Sequence, residues 1–191
     1  MQVFYQEESM TQILWHGRGG QGAFTASRLL GSAFSLKDSE SYSLAFPSFG
    51  PERRGAPIRA FTKLDSKPIG NRSEISRGDF VIFLDDTLFS EDAFNQINEN
   101  GKIIIATKKK FSDPRIIAVD AVSIAEEILH LPITNTAMIG AFAALFSDIT
   151  LADIESAVRS NMAPKLQDKN IAVIKAACEE VKAVFEARKS A

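Results

Sequence analysis

The sequence predicts a single α/β domain of the Rossmann-like type, with a mostly parallel sheet, a glycine-rich strand-to-helix loop and a helical C-terminal third. Three observations lead to this fold class. The apolar segment at residues 12–15 is followed by a glycine-rich stretch and then by apolar positions at helical spacing. Continuous apolar runs at residues 79–84 and 102–107 are typical of buried parallel strands. Beyond residue 120, helical patterns predominate.

The glycine-rich loop covers residues 16–22, HGRGGQG, and precedes a helix predicted over residues 22–36. Gly17, Gly19 and Gly22 match the spacing G-x-G-x-x-G, in which missing side chains let the backbone turn tightly and approach a phosphate. The positive end of the following helix then faces the charge of the phosphate. The loop therefore predicts a site for a phosphate or another anion, and the alternative is a tight turn without a ligand.

The strand predicted after this helix, over residues 41–46, bears on the choice of ligand. In a dinucleotide-binding Rossmann unit this strand ends in an acidic residue that binds the ribose, about 20 residues after the glycines. Here the end of the strand reads AFP, and the acidic residues Asp38 and Glu40 come before the strand. The sequence therefore disfavours an NAD-dependent dehydrogenase.

A second unusual stretch follows at residues 46–57, FPSFGPERRGAP. Its three prolines and two glycines exclude a regular helix and hold Arg53 and Arg54, with Glu52, on a stiff loop. Arginines bind carboxylate or phosphate groups in a forked geometry, so this pair can complete an anion site or bind a partner surface. The alternative is a solvated turn in which Glu52 pairs with an arginine.

The remaining elements follow from apolar periodicity and turn residues. Strands are predicted over residues 58–64, 67–72, 79–84, 102–107 and 115–119, with 67–72 as the short partner of 58–64. Helices are predicted over residues 88–98, 121–129, 137–145, 151–159 and 171–188. Asn100-Gly101 is a turn signal, and Gly140 lets its helix pack close to another backbone.

Several polar residues follow the predicted buried strands, at the sheet edge where ligands of open α/β sheets bind. Asp85 and Asp86 come directly after one strand, and the lysines at 108–110 come after the next. The acidic pair faces the ligand or caps the following helix, and the lysines contact phosphate or form a solvated loop. His16 is expected to be a strand-end residue and not a catalyst, because no nucleophile pattern accompanies it.

Composition limits the classes of protein and partner. With 191 residues and 45% hydrophobic residues, we expect one domain over residues 1–191, with residues 1–10 as a loose N-terminal segment. A net charge of -2 gives no overall attraction to nucleic acid or to an anionic membrane, so neither is expected as a partner. No basic leader and no apolar run of about 20 residues occurs, so we expect a cytoplasmic protein.

The chain has one cysteine, Cys178. It cannot form an internal disulfide, and it cannot by itself supply the thiolates of an iron-sulfur cluster. Cys178 lies among apolar residues at helical spacing, which favours a buried structural thiol.

Several stretches of the chain together resemble one family. They are residues 17–22 (GRGGQG), 45–59 (AFPSFGPERRGAPIR), 81–86, 135–136 with 140–141 and, more loosely, 165–166 with 170–172. On these residues the sequence resembles the gamma subunit of 2-oxoacid:ferredoxin oxidoreductases, most closely the pyruvate:ferredoxin (or flavodoxin) enzymes. The first two motifs as a pair are much more specific than any single glycine pattern.

The resemblance implies an α/β subunit that works with companion alpha, beta and delta-type subunits. Thiamine diphosphate and the iron-sulfur clusters are then expected only on those partners. The assembled enzyme would decarboxylate a 2-oxoacid oxidatively, pass electrons to ferredoxin or flavodoxin, and transfer the acyl group to coenzyme A. This chain would be a non-catalytic but required subunit, with no metal ligands of its own.

The resemblance also implies that the glycine-rich loop accepts phosphate groups of coenzyme A, while the arginine loop reaches toward the ligand or a subunit interface. The candidate cofactor-binding residues are Gly17, Arg18, Gly19, Gly20, Gln21, Gly22, Arg53 and Arg54. Two alternatives stay open. One is a free-standing nucleotide-binding oxidoreductase, and the other is a purely architectural subunit whose glycine-rich loop binds another chain.

Overall fold

A computed structural model of the chain describes residues 10–48 and 54–189, with side chains described as far as residue 186. The strands are β1 (Thr11–Arg18), β2 (Tyr42–Pro47), β3 (Pro57–Asp65), β4 (Gly78–Phe83), β5 (Ile97–Ala106) and β6 (Ile116–Val119). The α-helices are α1 (Ala23–Ser35), α2 (Ala121–Leu129), α3 (Asn135–Ala143), α4 (Leu151–Asn161) and α5 (Pro164–Lys189). Two short 3-10 segments, Asp86–Leu88 and Glu91–Gln96, lie between β4 and β5.

The strands form one six-stranded sheet in the order β2-β3-β1-β4-β5-β6. β1, β4, β5 and β6 run parallel to one another, whereas β3 runs antiparallel to both of its neighbours, β1 and β2. The predicted α/β fold with a mostly parallel sheet and C-terminal helices is confirmed. Because neighbouring parallel strands end at the same edge of the sheet, the loops that follow β1, β4 and β5 lie together.

Alternate residues of each strand point to opposite faces and build two separate cores. Ile13 and Trp15 of β1 face the α-helices, and residues from α1 to α5 all join this first core. Leu14 faces the other way, into a smaller core that is covered by Ile75 and by Ala93 of the second 3-10 segment. The α-helices therefore pack on one face of the sheet, and irregular segments cover the opposite face.

A chain of buried hydrogen bonds fixes α1 on the sheet. The indole Nε1–H of Trp15 donates to Thr62 Oγ1 at 3.0 Å, and that hydroxyl donates to the carbonyl of Ser27 in α1 at 3.0 Å. All three residues are fully buried, where a hydrogen bond lost without replacement is costly. This anchor holds the N-terminus of α1 over the carboxyl end of β1.

Helices α3 and α5 pack backbone against backbone. A Cβ atom at Gly140 of α3 would collide with the carbonyl oxygen of Ile174 in α5. The close approach expected from the glycine in this helix is therefore present, and it places the first residues of α3 beside the glycine-rich loop.

The strand predicted over residues 67–72 is wrong. The true neighbours of β3 are β2 and β1, so neither edge of β3 is open to a further strand. Residues 67–72 instead form an irregular segment whose Asn71 carbonyl accepts a hydrogen bond from Lys63 Nζ at 2.9 Å. Pro68 and Gly70 in this segment also disfavour a strand.

The helix predicted over residues 88–98 is also wrong, since 3-10 segments and the start of β5 occupy this stretch. The few residues between β4 and β5 must cover the face of the sheet that lies away from the α-helices. Phe89 does so by packing edge-on against Phe83, with the ring centroids 5.7 Å apart. The predicted turn at Asn100-Gly101 lies inside β5. There the strand register shifts, because Gly78 pairs with residue 97 while residue 80 pairs with 102.

The C-terminal helices differ from expectation mainly at their starts. α3 begins at Asn135, two positions before the predicted start, and α5 begins at Pro164 instead of residue 171. Proline is favoured at the first position of a helix because it lacks the N–H that would be unpaired there. Across the described ranges, no helix is both long and apolar enough to cross a membrane.

Candidate functional site

The glycine-rich loop joins the end of β1 to the start of α1. Gly17 and Arg18 still belong to β1, and the turn itself begins at Gly19. Gly20 has φ +97° and Gly22 has φ +81°, in the left-handed region that residues with a Cβ avoid. The predicted tight strand-to-helix turn is therefore present, and its conformation requires glycine at two positions.

The turn leaves backbone donors available at the N-terminus of α1. Gly22 is the N-cap of α1, it makes no side-chain cap, and the first turn of α1 carries no acidic residue. In the part of the chain that the structure describes, the N–H groups of Gly20 and Gly22 have no hydrogen-bond acceptor. Unpaired N–H groups at the positive end of a helix favour an anion.

The two unusual sequence motifs meet in the fold. The N–H of Gly19 donates to the carbonyl of Ala56 at 2.8 Å, and the N–H of Gly55 donates to the carbonyl of Gly19 at 3.1 Å. Arg54 is described and exposed beside this contact, whereas Arg53 lies outside the described residues. The end of the second motif therefore forms one wall of the glycine-rich loop.

Arg18 joins three segments of the chain. Its Nε–H donates to Asp85 Oδ2 at 3.0 Å, one terminal N–H donates to the carbonyl of Gly55 at 3.2 Å, and the other donates to Thr87 Oγ1 at 2.8 Å. Its guanidinium thus links the end of β1 to the second motif and to the 3-10 segment after β4. Three of its five donors bond to acceptors among the described residues.

Gln21 and Asp85 complete this link. The Gln21 side chain accepts from the N–H of Arg18 at 2.6 Å and donates to Asp85 Oδ2 at 3.0 Å. Burial works to raise the pKa of Asp85, but hydrogen bonds from Thr87, Gln21 and Arg18 outweigh it and hold the pKa below its usual value. The ionised Asp85 carboxylate therefore accepts hydrogen bonds from Arg18, Gln21 and Thr87, and it also caps the 3-10 segment after β4.

A cleft of about 290 Å³ opens beside the turn. Its polar part includes Gly20, Gln21 and Asp85. The rest of its wall is mostly apolar and comes from the residue after β4, from β5 and α2, and from the segment before α3, namely Leu84, Ala106, Val122, Pro132 and Ile133. The cleft therefore combines a polar end, where the turn lies beside two carboxylates, with an apolar end, as many ligand sites do.

The lysines at 108–110 lie at the same sheet edge, as predicted, but two of them pair with carboxylates. Lys109 Nζ lies 3.0 Å from Asp86 Oδ2, and Lys108 Nζ lies 3.7 Å from Asp120 Oδ2. Hydrogen bonds from Thr107 and Lys109 hold the pKa of Asp86 below its usual value. Asp86 lines the cleft, so Lys109 supplies positive charge close to its rim.

His16 has a structural environment. Its ring stacks on Phe83 with the ring centroids 4.5 Å apart, and Nε2 lies 2.7 Å from Gln96 Oε1. Burial lowers the pKa of His16, against the opposing effect of the Gln96 hydrogen bond. It occupies the end of β1 on the face away from the α-helices, in line with the strand-end role expected from the sequence.

The fold adds residues that sequence reasoning did not assign to the site. Thr134 Oγ1 donates to the carbonyl of Leu84 at 3.0 Å, and the Asn135 side-chain amide lies against Gly22. These contacts join parts of the chain that are far apart in sequence, so no local pattern predicts them. The Asn-Thr pair at a helix start was the available signal, because such residues favour helix N-termini.

Comparison with known proteins identifies the family. Residues 12–180 match the family model described as pyruvate ferredoxin/flavodoxin oxidoreductase. The common gamma subunit of the pyruvate/ketoisovalerate oxidoreductases of Pyrococcus furiosus is 40% identical over 187 residues, which cover 93% of this chain and 100% of that protein.

Solved structures agree with this assignment. The pyruvate oxidoreductase subunit PORC of Thermotoga maritima matches with a TM-score of 0.77 and 31% identity, covering 90% of this chain and 97% of that one. A 2-oxoglutarate:ferredoxin oxidoreductase of Magnetococcus marinus, with 2-oxoglutarate, coenzyme A and succinyl-CoA bound, shares the fold at a TM-score of 0.71 and 15% identity. The match covers 95% of this chain but only 32% of the longer Magnetococcus marinus chain. The chain therefore belongs to the pyruvate ferredoxin/flavodoxin oxidoreductase family, in which it is a gamma subunit.

Proposed function

We propose that this chain binds coenzyme A in an assembled 2-oxoacid:ferredoxin or flavodoxin oxidoreductase and helps to complete the subunit interface. The turn at residues 19–22 receives phosphate groups of coenzyme A, and thiamine diphosphate and the iron-sulfur clusters lie on companion alpha, beta and delta-type subunits. The observation that carries this proposal is the uncapped N-terminus of α1, which directly follows Gly20 and Gln21 in the wall of the cleft. The chain is required for the reaction but makes and breaks no bond itself.

The residues around the cleft suit binding better than chemistry. The backbone N–H groups of Gly20 and Gly22, which have no acceptor among residues 10–48 and 54–189, stabilise phosphate oxygens without exchanging a proton. Arg54, with Arg53 next to it in sequence, adds positive charge beside the turn. Arg18 holds the loop through Asp85, and two of its five donors have no acceptor among the described residues, so they can approach the same anion.

The apolar part of the cleft fits the rest of such a ligand. Coenzyme A joins charged phosphates to an adenine ring and to a long thiol arm with apolar stretches. Leu84, Val122 and Ile133 provide an apolar wall beside the anion-favouring turn. A ligand that is anionic at one end and partly apolar at the other matches this combination.

The relatives support a role that does not depend on the 2-oxoacid. The Pyrococcus furiosus gamma subunit is common to pyruvate and ketoisovalerate oxidoreductases. A subunit shared by enzymes for different 2-oxoacids suits a substrate that those enzymes have in common. The Magnetococcus marinus enzyme, which shares the fold, has coenzyme A bound.

The single cysteine of this chain also agrees with iron-sulfur clusters that lie on companion subunits. An iron-sulfur cluster needs several thiolate ligands, and this chain offers one. Cys178 is 1% exposed, and burial raises the pKa of its thiol. The residues of this chain therefore do not fit a cluster of their own.

A free-standing dinucleotide-dependent enzyme is less well supported. In the Rossmann arrangement the second strand lies next to the first and ends in the acidic residue that binds the ribose. Here the neighbour of β1 on that side is β3, which runs antiparallel and begins at Pro57 opposite Arg18. The acidic residue that would bind the ribose has no counterpart at this place in the described part of the sheet.

The proposal is tested by placing a side chain in the turn. A Cβ atom at Gly20 would meet no described atom within 4 Å, so a long side chain there would extend into open space beside the turn. In the assembled enzyme with its companion subunits, we expect Gly20→Leu to raise the apparent KM for coenzyme A at least about tenfold. The KM for the 2-oxoacid should change little.

Gly20→Ala is the matched control, because it carries the same strained left-handed backbone with a single methyl group. It should shift the KM for coenzyme A much less than Gly20→Leu. An intact Gly20→Leu complex with unchanged kinetics toward coenzyme A would rule out the proposed cradle. A complex that fails to assemble while isolated Gly20→Leu folds normally would favour the architectural role.

A further inference from the structure

Three buried polar residues form a hydrogen-bonded network behind the glycine-rich turn. Asn135 and Thr136 begin α3, Asn170 lies in α5, and their exposed fractions are 7%, 1% and 9%. Thr136 Oγ1 donates to Asn170 Oδ1 at 2.9 Å, and Asn170 Nδ2 donates to the carbonyl of Leu166 at 2.8 Å. This network holds the first turn of α3 against α5.

Asn135 is the end of the network that meets the glycine-rich loop. Its Oδ1 accepts from the N–H of Thr136 at 2.9 Å, which fixes the orientation of the amide plane. Its Nδ2 lies 3.5 Å from the carbonyl oxygen of Gly22 and 2.5 Å from the position that a Cβ atom at Gly22 would occupy. The Asn135 amide therefore occupies the space that a side chain at Gly22 would need.

The carbonyl of Gly22 is also the acceptor of the first hydrogen bond of α1. It accepts from the N–H of Ala26 at 2.9 Å, so this carbonyl belongs to the hydrogen-bond ladder of α1. A side chain that holds this carbonyl in place also restrains the backbone of Gly22, which carries one of the N–H donors of the turn. Preorganised donors bind an anion better than donors that must be ordered on binding.

We propose that Asn135 is a positioning residue for the anion-binding turn and acts through Gly22. This inference rests on the proposed coenzyme A site. Asn135 does not line the cleft, so its effect on the ligand passes through the conformation of residues 20–22. The contact joins residues 113 positions apart, which explains why an Asn-Thr pair in the last third of the chain belongs to a site near the N-terminus.

The test compares Asn135→Ser with Asn170→Ser in the assembled enzyme. Serine keeps an oxygen at the start of α3 but removes the amide that packs on Gly22. We expect Asn135→Ser to raise the apparent KM for coenzyme A about fivefold to tenfold, with kcat at saturating coenzyme A within about twofold of wild type. Asn170→Ser disturbs the same buried network without touching the turn, so it should lower the melting temperature and change this KM at most about twofold.

A second variant separates positioning from packing. Asn135→Asp keeps the size and shape of the side chain but turns the donor that faces the Gly22 carbonyl into an acceptor. We expect it to raise the KM for coenzyme A more than Asn135→Ser does, because it also places negative charge behind the turn. An unchanged KM in folded, assembled Asn135→Ser and Asn135→Asp enzymes would overturn the inference, as would equal KM changes in Asn135→Ser and Asn170→Ser.

The outcome for Gly20→Leu distinguishes the two proposals. If that variant raises the KM for coenzyme A and the Asn135 variants do not, only the positioning role fails. If none of these variants changes the KM, the coenzyme A site itself fails.

Discussion

The N–H of Gly19 donates a hydrogen bond to the carbonyl of Ala56 at 2.8 Å, and this bond joins the two sequence motifs that resemble the family. Each motif alone has an ordinary explanation, as a tight turn or as a proline-rich loop. Side by side, they frame the uncapped start of α1 and the cleft next to it. The site therefore belongs to the contact between the motifs, and four changes to it and its surroundings can be predicted.

Gly22→Ala should destabilise the chain. The substitution places a Cβ atom 2.5 Å from Asn135 Nδ2 at a residue with φ +81°. The left-handed backbone alone costs about 1–2 kcal/mol, and displacing the asparagine adds to that loss. Urea unfolding of the isolated chain measures the difference. Gly70→Ala is the control, since its Cβ would meet no described atom within 4 Å and its φ is not positive.

Gly140→Ala should be more damaging than Gly22→Ala. A methyl group there would collide with the Ile174 carbonyl, so α3 must move away from α5. Overpacking of this kind costs about 1–3 kcal/mol or more, because backbone cannot give way as a side chain can. Thermal unfolding compares it with Gly31→Ala in α1, where the nearest atom is the Ser43 hydroxyl at 3.1 Å. We expect that control to be nearly neutral, and a stable Gly140→Ala chain would show that the two helices are not in backbone contact.

These two glycines show what the sequence could and could not predict. The strand-loop-helix unit around Gly22 is local, so its periodicity and glycine spacing sufficed to predict it. The close packing at Gly140 was also expected, but not the identity of the opposing helix. The role of Asn135 could not be predicted, because a contact between distant parts of the chain leaves no mark on local periodicity.

The two wrong secondary-structure predictions, for residues 67–72 and 88–98, also failed because contacts between distant parts of the chain decide the structure there. Residues 67–72 failed as a strand because β3 had no free edge, which is a property of the whole sheet. Residues 88–98 carry a helix-like spacing, yet they form parts of two 3-10 segments and the start of β5, and they cover the smaller core. In both places, packing and strand pairing in the sheet outweighed the local secondary-structure preference.

Asp85→Asn should make the chain less sensitive to acid. The pKa of Asp85 is lower in the folded protein than in the unfolded chain, where it is about 4. The ionised carboxylate therefore stabilises the fold fully at pH values above that unfolded-state pKa. That contribution is lost as the pH falls through the folded pKa. We expect Asp85→Asn to melt at a lower temperature than wild type at pH 7, with the two melting temperatures converging as the pH falls through the lowered pKa of Asp85.

Melting curves recorded across this pH range test the prediction. Asp92→Asn, at an exposed position in the second 3-10 segment, is the control for removing a carboxylate elsewhere. Parallel pH profiles for wild type and Asp85→Asn would show that Asp85 does not hold Arg18 and Gln21 through its charge.

Charge changes at Arg53 and Arg54 should weaken coenzyme A use or assembly. Arg54 is exposed beside the contact between the motifs, and Arg53 precedes it in sequence. We expect a graded response, in which replacing both by glutamine has a smaller effect than replacing both by glutamate. Native mass measurement of the complex and the KM for coenzyme A provide separate readouts. A fully assembled and fully active double glutamate variant would assign the pair to a solvated turn.

The most direct test is to purify the chain gently and anaerobically from its native host and to identify the chains and cofactors that accompany it. We expect a subunit with thiamine diphosphate and a cysteine-rich subunit with iron-sulfur clusters. The assembly should reduce an acceptor only when a 2-oxoacid and coenzyme A are both supplied. A chain that emerges alone and binds a nicotinamide dinucleotide would contradict the proposed role in coenzyme A binding within a larger enzyme.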